Sequence, residues 1–125
     1  MAVHPISVTL PDGRVVTARP LTVRQRIALT ADLADERSRI ARKNAEIAGE
    51  PNVLAAVEKA RREALVASAL VLDCYTLAGA MRVIEAGSEF ADAIGDALEP
   101  KALTELSLRL LGFGREDERE APAGK

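Results

Sequence analysis

Residues 64–84 read ALVASALVLDCYTLAGAMRVI, and the placement of this stretch decides the fold. Asp73 and Arg82 are its only charged residues. Coiled as a helix, it presents apolar side chains in every direction. Such a helix must be surrounded, by protein or by lipid. Its length approaches the roughly 20 apolar residues that a bilayer crossing needs. However, a carboxylate stands at its centre, and a central Asp costs about 2.5–3.5 kcal/mol on insertion. Alanine rather than leucine and phenylalanine fills it, and Arg82 and Glu85 crowd one flank opposite Lys59, Arg61 and Arg62. The stretch therefore predicts a buried central helix, wrapped by the rest of the chain, and no membrane association.

The remainder is polar enough to wrap it. The 125 residues carry 17 basic and 19 acidic side chains, a net charge of −2 that exerts no general pull on nucleic acid or an anionic surface. A chain of this length forms one domain and buries roughly two-thirds of its unfolded surface. Aromatics make up 2% and tryptophan is absent, which argues against stacking on bases or flat cofactors. Cys74 is the only cysteine, so no intrachain disulfide forms. The N-terminus lacks a basic segment followed by an apolar run, so no secretory signal is expected and an intracellular site of action follows.

Upstream, residues 6–19 read ISVTLPDGRVVTAR. Ile6, Val8 and Leu10 alternate with Ser7 and Thr9, the period of a half-buried strand. Pro11-Asp12-Gly13 is turn chemistry, and a three-residue loop with a glycine bulge would pair Leu10 with Arg14, Val8 with Val16 and Ile6 with Ala18. That register gathers Ile6, Val8, Leu10, Val16 and Ala18 on one face. An isolated hairpin is marginal in water, so this face needs a helix or a partner chain over it.

Pro20 ends the second strand, and Thr22 with Gln25 gives the spacing of a capping box. A helix follows over 23–48. Val23, Ile27 and Ala31 share one side of it; Leu33, Ile40 and Ile47 recur every seven residues beside Ala34, Ala41 and Ala48, a narrow coiled-coil-like seam. Gly49, Glu50 and Pro51 stop it. Asn52 can cap a second helix reaching Ala86, and the short connection folds the two into a long antiparallel helical hairpin. Ser88 can cap a third helix carrying Phe90, Ile94 and Leu98. Pro100 opens a fourth, with Leu103, Leu106, Leu110 and Leu111 on one face and Phe113 beyond Gly112. The fold class is thus α+β: mainly α, with a small N-terminal β-hairpin, a long helical hairpin and two shorter helices. The single domain spans 1–113, with the hairpin at 6–19 and the helical body at 22–113. Residues 114–125, GREDEREAPAGK, hold nothing apolar larger than alanine and are expected to be a disordered charged tail.

No constellation points to an enzyme, a metal or a cofactor. His4 is the only histidine and stands near a terminus. Cys74 lies between Asp73 and Tyr75, without the base and electropositive setting that a reactive thiol needs. Asp73, if buried, requires a partner, and Arg82, Arg24 or Arg26 could supply it. Along the first long helix Arg24, Arg26, Arg37, Arg39, Arg42 and Lys43 interleave with Asp32, Asp35, Glu36 and Glu46, a solvated face of mixed sign rather than a nucleic-acid stripe. A DNA-binding helical module is further disfavoured because no helix-turn-helix phrase is present.

The opening VTLPDGRVVTARPLTVRQ resembles the start of tail assembly chaperones of long-tailed bacteriophages, through Leu10, Pro11, Asp12, Gly13, Val15, Arg19, Pro20, Leu21 and Thr22. LTELSLRLLGF, from Leu103 to Phe113, is similar to the leucine-rich last helix of these families. The resemblance covers both ends of the chain and not its middle. It implies a non-catalytic protein of the host cytoplasm that binds the tape-measure protein and, in an extended form, helps recruit tail-tube subunits, with self-association as a further property to test. Gly124-Lys125 can be encoded by a slippery run, as programmed frameshifting in this class would require. Helix-in-groove binding needs an apolar surface. The hairpin face, Val8, Leu10 and Val16, or the last helix, Leu106, Leu110, Leu111 and Phe113, could provide it; ordinary core packing is the competing role for each of these residues. The competing function is a structural virion component, such as a tail-completion, connector or minor capsid subunit.

Overall fold

The computed structural model describes residues 4–113; the charged segment 114–125 lies outside them. The elements run β1 (Ile6–Thr9), β2 (Val15–Ala18), α1 (Val23–Ala48), α2 (Val53–Ala64), α3 (Ala67–Asp73), α4 (Leu77–Gly87), α5 (Ala91–Ala97) and α6 (Pro100–Leu110). The fold is therefore mostly helical with a two-stranded antiparallel hairpin at its start. The chain divides into two compact units, one formed by residues 23–72 and the other by residues to either side of them.

The hairpin has the register read from its sequence. Ile6 faces Ala18 and Val8 faces Val16. Gly13 takes φ +94°, a left-handed conformation that side chains disfavour, and its N–H donates to Leu10 O at 2.9 Å. Leu10 N–H closes the bulge onto Arg14 O at 2.8 Å. Asp12 braces the turn, accepting from Arg14 N–H at 3.0 Å and from Arg14 Nε at 2.9 Å. The Arg14 backbone N–H is the main reason the Asp12 carboxyl is held below its usual value. Val8, Leu10, Val16 and Ala18 are buried.

Three hydrogen bonds tie β2 and its continuation to the helices of the same unit. Arg19 N–H donates to Gly87 O at 2.7 Å, Ser88 Oγ donates to Thr17 O at 2.7 Å, and Leu21 N–H donates to Leu110 O at 2.8 Å. Helices α4 and α6 pack together, with Val83, Ile84, Ile94, Leu103, Leu106 and Leu110 buried in this unit. Pro100 occupies the first turn of α6, where its missing N–H costs nothing.

In the other unit α1 and α2 form the helical hairpin. Gly49 ends α1 at φ +73°, and the Asn52 side chain caps α2 by accepting from Ala55 N–H at 3.0 Å. Leu33, Ala34 and Ala64 make a buried cluster with Ala69 against it. Small side chains at such a contact let helix backbones approach closely. Arg61 meets Asp35 at 2.8 Å, but both are half exposed and the pair adds little stability.

The stretch 64–84 corrects the expectation of one continuous, wrapped helix reaching Ala86. It is broken twice, into the end of α2, then α3, then α4. The second break has a chemical cause. Thr76 Oγ1 accepts from Gly79 N–H at 3.0 Å and donates to Asp73 O at 2.8 Å, while Thr76 N–H also donates to Asp73 O at 3.0 Å. A threonine that caps α4 in this way competes with helix continuation. The first break, at Leu65 and Val66, has no comparable local signal. With the helix broken, Leu65, Val66, Leu72, Tyr75 and Leu77 are exposed rather than enclosed. Two smaller corrections follow. The α1 seam is buried at Leu33 but open at Ile40 and Ile47, because α2 packs along a different face of α1, the one carrying the buried Ala34 and Ala45. Ser88 does not cap the next helix; Phe90 stands at the cap position of α5, and the Ser88 hydroxyl accepts from Phe90 N–H at 3.0 Å.

Candidate functional site

Asp73 and Cys74 both lie buried in the fold. Asp73 is 6% exposed and faces Arg82, with Nε 3.5 Å from Oδ2. Of the three arginines considered as its partner, Arg82 makes this pair. Cys74 is fully buried. Burial pushes its thiol above the usual range; the Ser107 hydroxyl pulls the other way and the Asp73 carboxylate adds to the rise. Thr104 Oγ1 donates to Cys74 O at 3.0 Å, and Ser107 Oγ donates to Thr104 O at 2.7 Å. A protonated, enclosed thiol is a poor nucleophile. Among the described residues no three His, Cys, Asp or Glu side chains converge as a metal site would require. No helix among them is long and apolar enough to cross a membrane.

Seven residues were candidates for partner binding on sequence grounds. Val8, Leu10, Val16, Leu106, Leu110 and Leu111 are buried within the chain itself, whereas Phe113 is 49% exposed. The apolar face of the hairpin is therefore covered by this protein's own residues. Sequence alternation identifies an apolar face but not what lies over it.

Open apolar surface occurs elsewhere. On the helical arm Val23, Ile27, Ile40, Ile47 and Leu54 are exposed, Ile47 most of all at 77%. Leu54 is exposed on α2, while Ile40 and Ile47 stand seven apart on α1, so the same periodicity that signalled a seam marks an uncovered one. Around it Glu36, Arg37, Arg39, Arg42, Lys43 and Glu46 keep the arm strongly hydrated.

The second surface feature is a groove of about 510 Å³ along the outer edge of β1. Ser7 and Thr9 line one wall, and Leu98, Ala102, Leu106 and Arg109 line the other, from α6 and the residues before it. It is part polar and part apolar, and it holds no convergent set of acids, bases or nucleophiles.

No protein-family model matches the chain, and no curated protein or solved structure matches it.

Proposed function

We propose that the protein is a non-catalytic tail assembly chaperone of a long-tailed bacteriophage, acting in the host cytoplasm. It would hold the tape-measure protein in soluble form and help recruit tail-tube subunits. One observation carries this reading: the phrase Leu10-Pro11-Asp12-Gly13 through Arg19-Pro20-Leu21-Thr22, which resembles the opening of such proteins, also forms a braced hairpin leading directly into a long helix. The chemistry is consistent with the role. A holding protein needs exposed apolar surface beside strong hydration rather than a reactive centre. The arm supplies both, with Ile40, Ile47 and Leu54 exposed among dense charge. Phe113 remains a further contact point.

The test is co-expression with the tape-measure protein encoded nearby, followed by pull-down and size-exclusion chromatography, together with an assay of purified virions. Soluble co-purification and absence from the virion support the chaperone reading. No binding, with the chain retained in virions, replaces it with a structural subunit of the particle. Salt-sensitive binding to DNA in the same preparation would instead indicate a nucleic-acid module.

A further inference from the structure

The two edges of the β-hairpin are not equivalent. Leu10 N–H donates to Arg14 O, so Val8 and Ile6, two and four residues earlier, direct their backbone groups toward β2. By the alternation of an antiparallel pair, Ser7 and Thr9 direct theirs outward. On β2 two of the outward groups are occupied: Thr17 O accepts from Ser88 Oγ, and Arg19 N–H donates to Gly87 O. The outward groups of Ser7 and Thr9 meet no such cover among the described residues, and the groove runs beside them.

We propose that β1 pairs antiparallel with β1 of a second copy of this chain, about a twofold axis at Val8. In this register Ser7 of each copy stands opposite Thr9 of the other, and each such pair exchanges both of its free backbone hydrogen bonds. The side chains agree with that register. The two hydroxyl residues meet on the exposed face, a favourable cross-strand pair. On the other face Val8 meets its own symmetry mate, and Ile6 meets Leu10, giving one continuous apolar layer. Leu98, Ala102 and Leu106 line the groove beside the edge at which the second copy adds. Glu105 and Arg109 also line the groove. An interface of this kind is self-complementary and closes at two copies. It is independent of the chaperone reading, and its test uses only this chain.

The full chain is studied by sedimentation over a wide concentration range, and backbone amide exchange is followed by NMR at both ends of that range. The expected result is a concentration-dependent dimer in which Ser7 and Thr9 amides, fast when dilute, slow by roughly tenfold or more when concentrated. Thr9→Pro removes an outward N–H without removing a bond to β2, a substitution that an edge strand accepts. It is expected to stay monomeric with the Ile6 and Val8 amides still protected. If Thr9→Pro loses that protection, the exchange of the unaltered chain decides. A monomer at every concentration overturns the proposal. So does a dimer whose Ser7 and Thr9 amides remain fast, or protection that appears only when a different protein is added.

Discussion

Gly79 sits where any side chain would run into the backbone carbonyl and the carboxylate of Asp73. The contact is fixed by Thr76, which holds Asp73 O with both its N–H and its hydroxyl while capping the helix that contains Gly79. Replacing a helical glycine by alanine ordinarily gains about 1 kcal/mol. Here the methyl would meet backbone, which cannot rotate away. Gly79→Ala is therefore expected to lower stability, by about 1–3 kcal/mol, the range typical of overpacking. Urea unfolding followed by circular dichroism measures this, and a gain in stability would show that the Asp73 turn yields easily.

The Asp73–Arg82 pair predicts a non-additive result. Arg82→Met leaves a buried carboxylate without its cation, a loss of about 3 kcal/mol or more. Asp73→Asn combined with Arg82→Met removes both charges and should recover a large part of that loss. A double-mutant cycle in urea reads the coupling, and simple additivity of the two changes would mean that the pair is solvated in solution.

Cys74 gives a prediction in pH. Burial raises the thiol's folded-state value, so the folded chain keeps its proton after the unfolded chain has released it. Stability from this group is complete below the unfolded value, near pH 8.5, and declines as pH rises from there through the folded value. Cys74→Ala should flatten that alkaline decline while lowering stability at neutral pH. A thiol reagent should label the native chain slowly, at a rate set by unfolding, and label the denatured chain at once.

Core and surface separate cleanly in the candidate binding residues. Leu106→Ala should cost about 2–5 kcal/mol, because it empties a packed site. Ile40→Glu with Ile47→Glu should leave stability within about 0.5 kcal/mol per site, since both side chains already face water. If the arm holds the tape-measure protein, the double glutamate variant should fold normally and fail to co-purify with it. Normal co-purification would move the contact to another surface.

Local chemistry explains what was legible before the structure. The strand register followed from alternation plus a turn that only one loop length satisfies, and Asn52 and Pro100 marked helix starts through their own backbone requirements. The breaks within residues 64–84 were not legible in the same way. Thr76 is an ordinary residue inside an apolar run, and its role as a cap shows only in the fold, where its hydroxyl accepts from Gly79 N–H while donating to Asp73 O. Nothing in Leu65 or Val66 announces a stop at all. The burial of six of the seven candidate binding residues has the same origin. Periodicity reports that Val8, Leu106 and Ile47 lie on apolar faces, yet whether another element covers each face depends on residues far away in sequence.

The unit containing both strands is assembled from chain on either side of residues 23–72, so the helical arm is an insertion within it. During synthesis the hairpin leaves the ribosome long before α6 exists, and Leu21 N–H has to wait for Leu110 O. The arm's contacts, such as Asp35 with Arg61, close far shorter loops than Leu21 with Leu110, and shorter-range contacts form faster. A nascent chain halted after the arm would therefore carry a folded arm and a bare hairpin with Val8, Leu10 and Val16 uncovered. Premature termination, rather than loss of the arm, is the event that would make this protein sticky inside a cell.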